Sequence, residues 1–327
     1  MKILKSNIEI VTDASTVVFK HVSDIEITST WKQQTDIGTM VIPRKLSFEG
    51  RDIVAGVNPL IKVGSKISIS VGYIQEGTTE AEMNTILVGY VSAIQPKLPI
   101  TISLQDDMWF LKNNTLTKSY ASVKLSELLH DVIGNSVPWT TNGVEVDLGQ
   151  FRITRASTSM ILSELEKTYG LVSWFRDGVL NVGLAYVPAQ RKDLKFTFTK
   201  NIISDSLDYR DKDQVKINLT AISIFPDNTT IKYEAGDSNG ETRTVYQYNL
   251  NAEQLKEYAE REIFKMRYTG FYGSFTAFGV PFVRHGDAVV LHDPVLPERD
   301  GTYLIKQVTY KFGTGGYRQE IELANKI

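Results

Sequence analysis

The sequence contains no cysteine, which excludes disulfides, thiolate metal sites and a cysteine nucleophile. Four histidines in 327 residues are too few to point to a metalloenzyme. No apolar run is long enough to cross a bilayer. The opening residues, MKILKSNIEIV, are broken by Lys5, Ser6, Asn7 and Glu9, so they lack the apolar stretch of a signal peptide and read as a first strand. The formal net charge is only −2, which gives no general affinity for phosphate backbones or anionic membranes. A Gly-x-Ser-x-Gly elbow is missing, as is low-complexity sequence. The expectation is a protein that stays unprocessed where it is made, with no membrane insertion, metal or cofactor.

What is present is ordinary for folded domains, 42% hydrophobic and 23% charged residues, in a chain long enough for two or three of them. It is organised around residues 63–104. There Ile67, Ile69 and Val71 alternate with Ser68 and Ser70; residues 88–94 follow; Ile100, Ile102 and Leu104 alternate with Thr101 and Ser103. Alternation with period two puts one set of side chains in a core and the other in solvent, as in half-buried antiparallel strands. The C-terminus echoes this stretch. His285-Gly-Asp287 stands as Val63-Gly-Ser65 did, Gly301 follows as Gly89 did, and residues 306–308 and 320–323 follow as 92–94 and 101–104 did. One chain thus carries a small β-unit twice.

Before residue 63, residues 8–11, 17–19, 25–30 and 38–43 read as short strands, the last ending at Pro43. Asp106, Asp107 and Trp109 close the first unit, with Trp109 as a core plug. Residues 112–120 read as a polar linker. Val123, Leu125, Leu128, Leu129, Val132 and Ile133 share a helical face, with Ser122 as N-cap and Gly134 as the stop. A second helix is expected over residues 158–169, ending at Gly170, followed by a hairpin turning at Asp177-Gly178. Strands resume at Leu194; Asn239-Gly240 marks a turn between residues 230–234 and 242–248. Asn251 with Gln254 forms a capping box for a helix over about 251–268, striped by Leu255, Ala259, Ile263 and Met266. This gives a mainly β fold with an α+β insert, divided 1–112, 113–190 and 191–327.

The candidates for chemistry weigh little. His285 and His292, near Asp287 and Asp293, are spaced so that they fall on opposite faces of a strand, and they read as turn and strand-edge residues. His21 and His130 stand alone. The carboxylate pairs Asp106-Asp107, Glu145 with Asp147, and Glu298 with Asp300 read as solvated loop ends, since adjacent strand residues do not face each other across a cleft. Gly313, Gly315 and Gly316 lack the lysine of a phosphate loop and mark a hairpin tip. Basic residues are mixed with acidic ones, as in residues 191–195, so no nucleic-acid stripe emerges. The aromatics of residues 264–282 suit a core or subunit interface better than a glycan platform. Neither catalytic nor cofactor-binding residues survive. Long strand-linking loops, such as residues 74–86, suit an assembly protein.

The order and spacing of three blocks resemble the phage tail baseplate hub family (late control D or tail-hub proteins), akin to the front half of type VI secretion spike proteins. The first block is Pro59, Val63-Gly64, Val71-Gly-Tyr73, Val88-Gly-Tyr90 and residues 99–106. The second is the helix ending at Tyr169-Gly170, followed by Asp177-Gly178 and Gly183. The third comprises residues 273–281, His285-Gly-Asp287, Gly301 and residues 316–323. The resemblance implies two tube-type β-barrels flanking the α+β domain, and a homotrimer whose six similar units match a hexameric tail tube above and a trimeric spike below. It implies a channel passing tape-measure protein and genome without specific DNA binding, in a virion assembled in the host cytoplasm. It also implies that any spike or lytic domain is a separate polypeptide. Gly64, Gly89, Gly286 and Gly301 are expected to let the barrels turn or approach closely, with Tyr73, Ile74 and Tyr90 at interfaces. The alternatives are a peptidoglycan-degrading tail enzyme using Asp106 or Asp107, and a peripheral carbohydrate- or receptor-binding tail protein using aromatics near Phe271 and Phe278.

Overall fold

The computed structural model describes residues 2–13, 15–20, 22–42, 47–48, 51–52, 60–76, 81–95, 99–183 and 191–327. Pro43, Pro59 and His21 lie outside the described residues. The chain opens with β1 (Lys2–Val11), β2 (Thr16–Phe19), β3 (Asp24–Thr30), β4 (Ile37–Ile42) and a short ribbon of β5 (Ser47–Phe48) with β6 (Arg51–Asp52). A meander of β7 (Lys66–Gln75), β8 (Ala81–Gln95) and β9 (Ile100–Asp106) follows. Burial along β9 alternates residue by residue, as its sequence requires. The expected loop at residues 74–86 is mostly strand, because β7 and β8 stay paired out to Ile74 and Ala81.

The middle unit contains α1 (Met108–Leu111), β10 (Thr115–Tyr120), α2 (Leu125–Ile133), β11 (Trp139–Thr140), β12 (Phe151–Ser157), α3 (Thr158–Tyr169), β13 (Val172–Arg176) and β14 (Val179–Gly183). Helix α3 spans the expected residues, with Ser157 accepting from the Met160 N–H and Gly170 left-handed at φ +66°. Ser122 does not cap α2. Lys124 holds the N-cap position, and Ser122 hydrogen-bonds Asp147. Residues 115–120 of the expected linker form a strand whose polar side chains stay largely exposed while its backbone pairs with β12. Trp109 is only half-buried; Met108 and Leu111 on either side fill the core, and Trp109 stacks on Tyr90 at 5.1 Å.

The last part holds β15 (Asp193–Thr197), β16 (Ile202–Arg210), β17 (Ile217–Ile224), β18 (Thr230–Gly236), β19 (Glu241–Tyr248), α4 (Ala252–Met266), β20 (Gly270–Phe278), β21 (Ala288–His292), β22 (Gly301–Gly313) and β23 (Gly316–Lys326). Asn251 and Gln254 cap α4 reciprocally, and Leu255, Ala259 and Ile263 are its buried stripe. That stripe closes a separate small core against β17–β19. The turn at Asn239-Gly240 forms, but β18 and β19 do not pair. They lie on opposite edges of β17, because the turn crosses its end: Asp237 N–H donates to the Ile217 carbonyl and Glu241 N–H to that of Lys216.

One sheet of thirteen strands contains strands from both ends of the chain. Its main path runs β16-β20-β23-β22-β3-β4-β9-β8-β7-β1-β2, with β21 and β15 branching from β22. The branch exists because β22 shares one edge. Residues 301–304 pair with β21, and residues 307–313 pair with β3. Tyr73 on β7 touches Tyr317 on β23 at 5.8 Å, although several strands separate them in the hydrogen-bonded order, so the sheet is curled. The apolar side chains of both ends form one buried cluster.

Two runs in this sheet have the same succession. The order β3-β4-β9-β8-β7-β1 corresponds, strand for strand and in sequence order, to β16-β20-β23-β22-β21-β15. The details match. Gly64 N–H donates to the Val91 carbonyl and Val91 N–H to that of Ser65; Gly286 donates to Ile305, and Ile305 to Asp287. Each run then has a register shift, between Val91 and Ala93 in one and between Ile305 and Gln307 in the other. Ile94 faces Ile102 as Val308 faces Ile321. Gly38 and Gly273 are equivalent, and a Cβ on either would meet the neighbouring strand's carbonyl, of Glu26 or of Ser206. By this register Gly89 corresponds to Tyr303, with Gly301 two places earlier. The runs differ at one edge, where β1 pairs antiparallel with β7 but β15 pairs parallel with β21.

Gly64 and Gly286 have φ of +90° and +83°, a conformation that favours glycine at a tight entry into a strand. Gly89 is needed for proximity instead: a Cβ there would fall 2.0 Å from the Gln105 carbonyl oxygen. Gly89→Ala should therefore cost about 1–3 kcal/mol of stability by forcing β8 from β9. Gly315→Ala, with nothing within 4 Å, should change it by less than about 0.5 kcal/mol. Denaturant unfolding of the two variants checks this, and equal effects would refute it.

Candidate functional site

Across β16-β20-β23-β22-β3-β4-β9-β8, one face of the sheet carries the apolar core and the other carries short polar and charged side chains. A row on the second face runs Ser204, Thr276, Glu320, Thr309, Thr28, Ile37, Gln105 and Tyr90. The next row runs Phe278, Arg318, Lys311, Glu26, Thr39, Ser103 and Ala93. Two of its lysines are matched by carboxylates, while Arg318 keeps its charge. Lys311 Nζ donates to Glu320 at 2.9 Å, Lys306 pairs with Glu322, and the Arg318 guanidinium lies 4.9 Å above the Phe278 ring. Such pairs stabilise by about 1 kcal/mol at most. Their importance here is that the face presents neither a basic stripe nor an acidic one. The sequence signal for this face is the Ser/Thr half of each alternating strand.

A second polar cluster lies where the sheet meets the middle unit. Arg284 holds Asp177 through two bonds, of 2.6 and 2.7 Å, and Arg176 donates to the His285 carbonyl at 2.6 Å. Asp287 accepts from the N–H groups of Arg284 and Lys192 at 3.0 and 3.2 Å. The hydrogen bond from Arg284 holds the Asp177 carboxyl below the usual range. His285 is buried, with its ring edge-on to Trp174. Burial, then the neighbouring Arg176 and Arg284, bring its pKa down to about 3, so the ring is neutral.

Asp106 and Asp107 are buried, at 2% and 6% exposure, not solvated loop ends. The reason for Asp106 is that backbone N–H groups from two parts of the chain need acceptors here. Asp106 accepts from Met108 N–H at 3.0 Å and from Asp36 N–H at 2.9 Å, and its own N–H donates to the Asp36 carbonyl. Burial, then repulsion from Asp36, raise the Asp106 carboxyl well above its usual value. Asp36, which keeps part of its surface in solvent, is pushed up to about 7 by burial of its carboxylate. The cavity they share with Arg176, Asp177, Arg284 and His285 holds only about 60 Å³, far below the few hundred Å³ a sugar ring needs.

The other expected site residues lie apart. Tyr73 is inside the chain's own junction, its hydroxyl donating to the Tyr317 carbonyl at 3.1 Å. Tyr90 is on the polar face against Trp109, and Ile74 pairs with Ile3 and Ala81. Phe271 is buried beside Phe198, Tyr209 and Tyr303, a core position; Phe278 is exposed under Arg318. His292 pairs with Asp300 at 2.7 Å, away from His285. Among the described residues no group of histidines and carboxylates could hold a metal ion, and no helix is long and apolar enough to cross a membrane.

The fold is mainly β and is shared with phage tail proteins and with components of a related injection machine. No protein-family model matches the sequence, and no curated protein matches it. Solved structures do. A tail protein from Neisseria meningitidis is similar over 98% of this chain and 96% of its own, with TM-score 0.64 and 15% identity. The 43 kDa tail protein of prophage MuSo2 from Shewanella oneidensis is similar over 98% and 97%, with the same TM-score and identity. The E. coli c3393 protein is a type VI secretion component with structural similarity to the T4 tail proteins gp27 and gp5. It is similar over 93% of this chain and 73% of its own, with TM-score 0.55 and 8% identity.

The buried groups predict opposing pH effects. Asp36 titrates higher folded than unfolded, so its contribution is greatest below about pH 4 and falls as pH rises towards about 7. His285 titrates lower folded than unfolded, so its contribution falls as pH drops from 6.5 towards about 3. Asp36→Asn should gain on the unsubstituted protein by on the order of 1 kcal/mol per pH unit between about pH 5 and 7. His285→Asn should gain by a similar slope as pH falls from about 6 to 4. Urea titrations across pH test both, and stability profiles parallel to that of the unsubstituted protein would refute the assignment.

Proposed function

We propose that this chain is the structural, non-enzymatic hub of a phage tail baseplate or tail tip. Three copies form a ring of six similar units, with the hexameric tail tube on one side and the spike on the other. Residues 1–112 and 191–327 are the two tube-type barrels, and 113–190 is the α+β domain between them; β17–β19 with α4 are an insertion in the second barrel. The observation that carries this reading is the repeated strand succession, down to the same register shift after Val91 and Ile305. A doubled unit lets a threefold assembly meet a sixfold tube. In the ring the polar sheet face lines the channel. Its short side chains and paired charges let tape-measure protein and DNA pass without holding the phosphates, since DNA affinity requires unneutralised basic groups.

The hydrolase alternative is weakened at both its carboxylates: Asp106 is engaged with backbone N–H groups, and Asp107 is buried. The glycan-binding alternative loses Phe271 to the core. Light scattering on the purified protein should give a mass three times 36.8 kDa, about 110 kDa, and tail particles should contain three copies at the end of the tube. A single chain at high concentration, with no threefold particle in the tail, would refute the proposal.

A further inference from the structure

Two strand edges are left open, and they are counterparts of the two edges that close the chain on itself. Within the chain, β3 adds to β22 beyond the register shift: Thr30 faces Gln307, Ser29 faces Val308 and Thr28 faces Thr309. The equivalent of β3 is β16, nine residues long and paired only with β20 among the described residues. The equivalent of the β22 segment is the end of β8, residues 93–95. They pair with β9 on one edge and with no described strand on the other, because β7 leaves β8 at Tyr90. A long open edge is a template for another strand.

We propose that β16 of one copy adds antiparallel to the end of β8 of the next, repeating between chains the seam that β3 and β22 make within one. The inference rests on the three-copy ring and supplies its contact. The internal seam fixes the register. With Asp208, Tyr209 and Arg210 standing for Thr28, Ser29 and Thr30, they face Gln95, Ile94 and Ala93. The side chains suit each other. Thr28 and Thr309 share a hydrogen bond at 3.1 Å, and the Gln95 amide can donate to the Asp208 carboxylate at the same position. Tyr209, 40% exposed in the single chain, covers Ile94. The contact is head-to-tail, so three chains alternate an internal seam with an external one and close a ring without an open edge at either strand.

The absence of native cysteine gives a clean test. Gln95→Cys with Asp208→Cys should, on oxidation, convert the monomer band into covalent species of two and three copies, ending at about 110 kDa and reverting on reduction. Thr28→Cys with Thr309→Cys should cross-link within the chain and leave its mass unchanged, which also checks that the edge tolerates cysteine. Each of Gln95→Cys and Asp208→Cys alone should give no ladder. A three-copy particle whose chains stay separate on the oxidised gel would overturn this seam and leave the ring standing. A ladder ending at two copies would signify a twofold contact and overturn the seam as well. A chain that is single by light scattering and on the gel would overturn both.

Discussion

The pairing of β3 with β22 is the interaction on which the rest of the structure depends. It joins residues 24–30 to residues 307–313 in an unbroken antiparallel register. Two side-chain bonds brace it: the one between Thr28 and Thr309, and one from Thr30 Oγ1 to the Lys306 carbonyl at 3.0 Å. Without it there would be two sheets, each with an exposed edge and a smaller core. With it, Ile25 and Ile27 bury in the same cluster as Tyr310 and Phe312. The register shift at Lys306 lets β22 part from β21 and accept β3 on the same edge.

The two ends of the chain are alike in strand order but put it to different uses. The second run carries an insertion between β16 and β20, and its turn at residues 284–287 receives the middle unit through Arg284 and Asp177. The first run's corresponding turn, at Gly64, packs under Trp109. The serine and threonine side chains of the polar sheet face continue across both runs, whereas its ion pairs sit on β22 and β23 of the second.

Much of the fold was legible because its signals are local. Alternation located β7, β8 and β9, and the caps at Ser157, Gly170 and Asn251 bounded α3 and α4. The echo of Val63-Gly64 in His285-Gly286 marked the two turns that share a hydrogen-bond pattern. What was not legible depends on partners distant in sequence. Nothing in residues 24–30 names β22, and the Asn239-Gly240 turn looks the same whether its strands pair together or straddle β17. Asp106 read as solvated because nothing in its own neighbourhood names the N–H group of Asp36, seventy residues away, that its carboxylate accepts.

The seam also imposes an order of events during synthesis. Thr28 leaves the ribosome 281 residues before Thr309, so at about 5–20 residues per second β3 waits roughly 14 to 56 s for its partner. Throughout that interval the nascent chain displays a strand that can complete itself only with the β22–β23 hairpin. A neighbouring nascent chain at the same stage offers no β22 either, which limits premature pairing to later, more nearly finished molecules. Polysome spacing therefore becomes a determinant of correct assembly: ribosomes far apart on the message favour closure within one chain, and crowded ones favour exchange of that hairpin between chains.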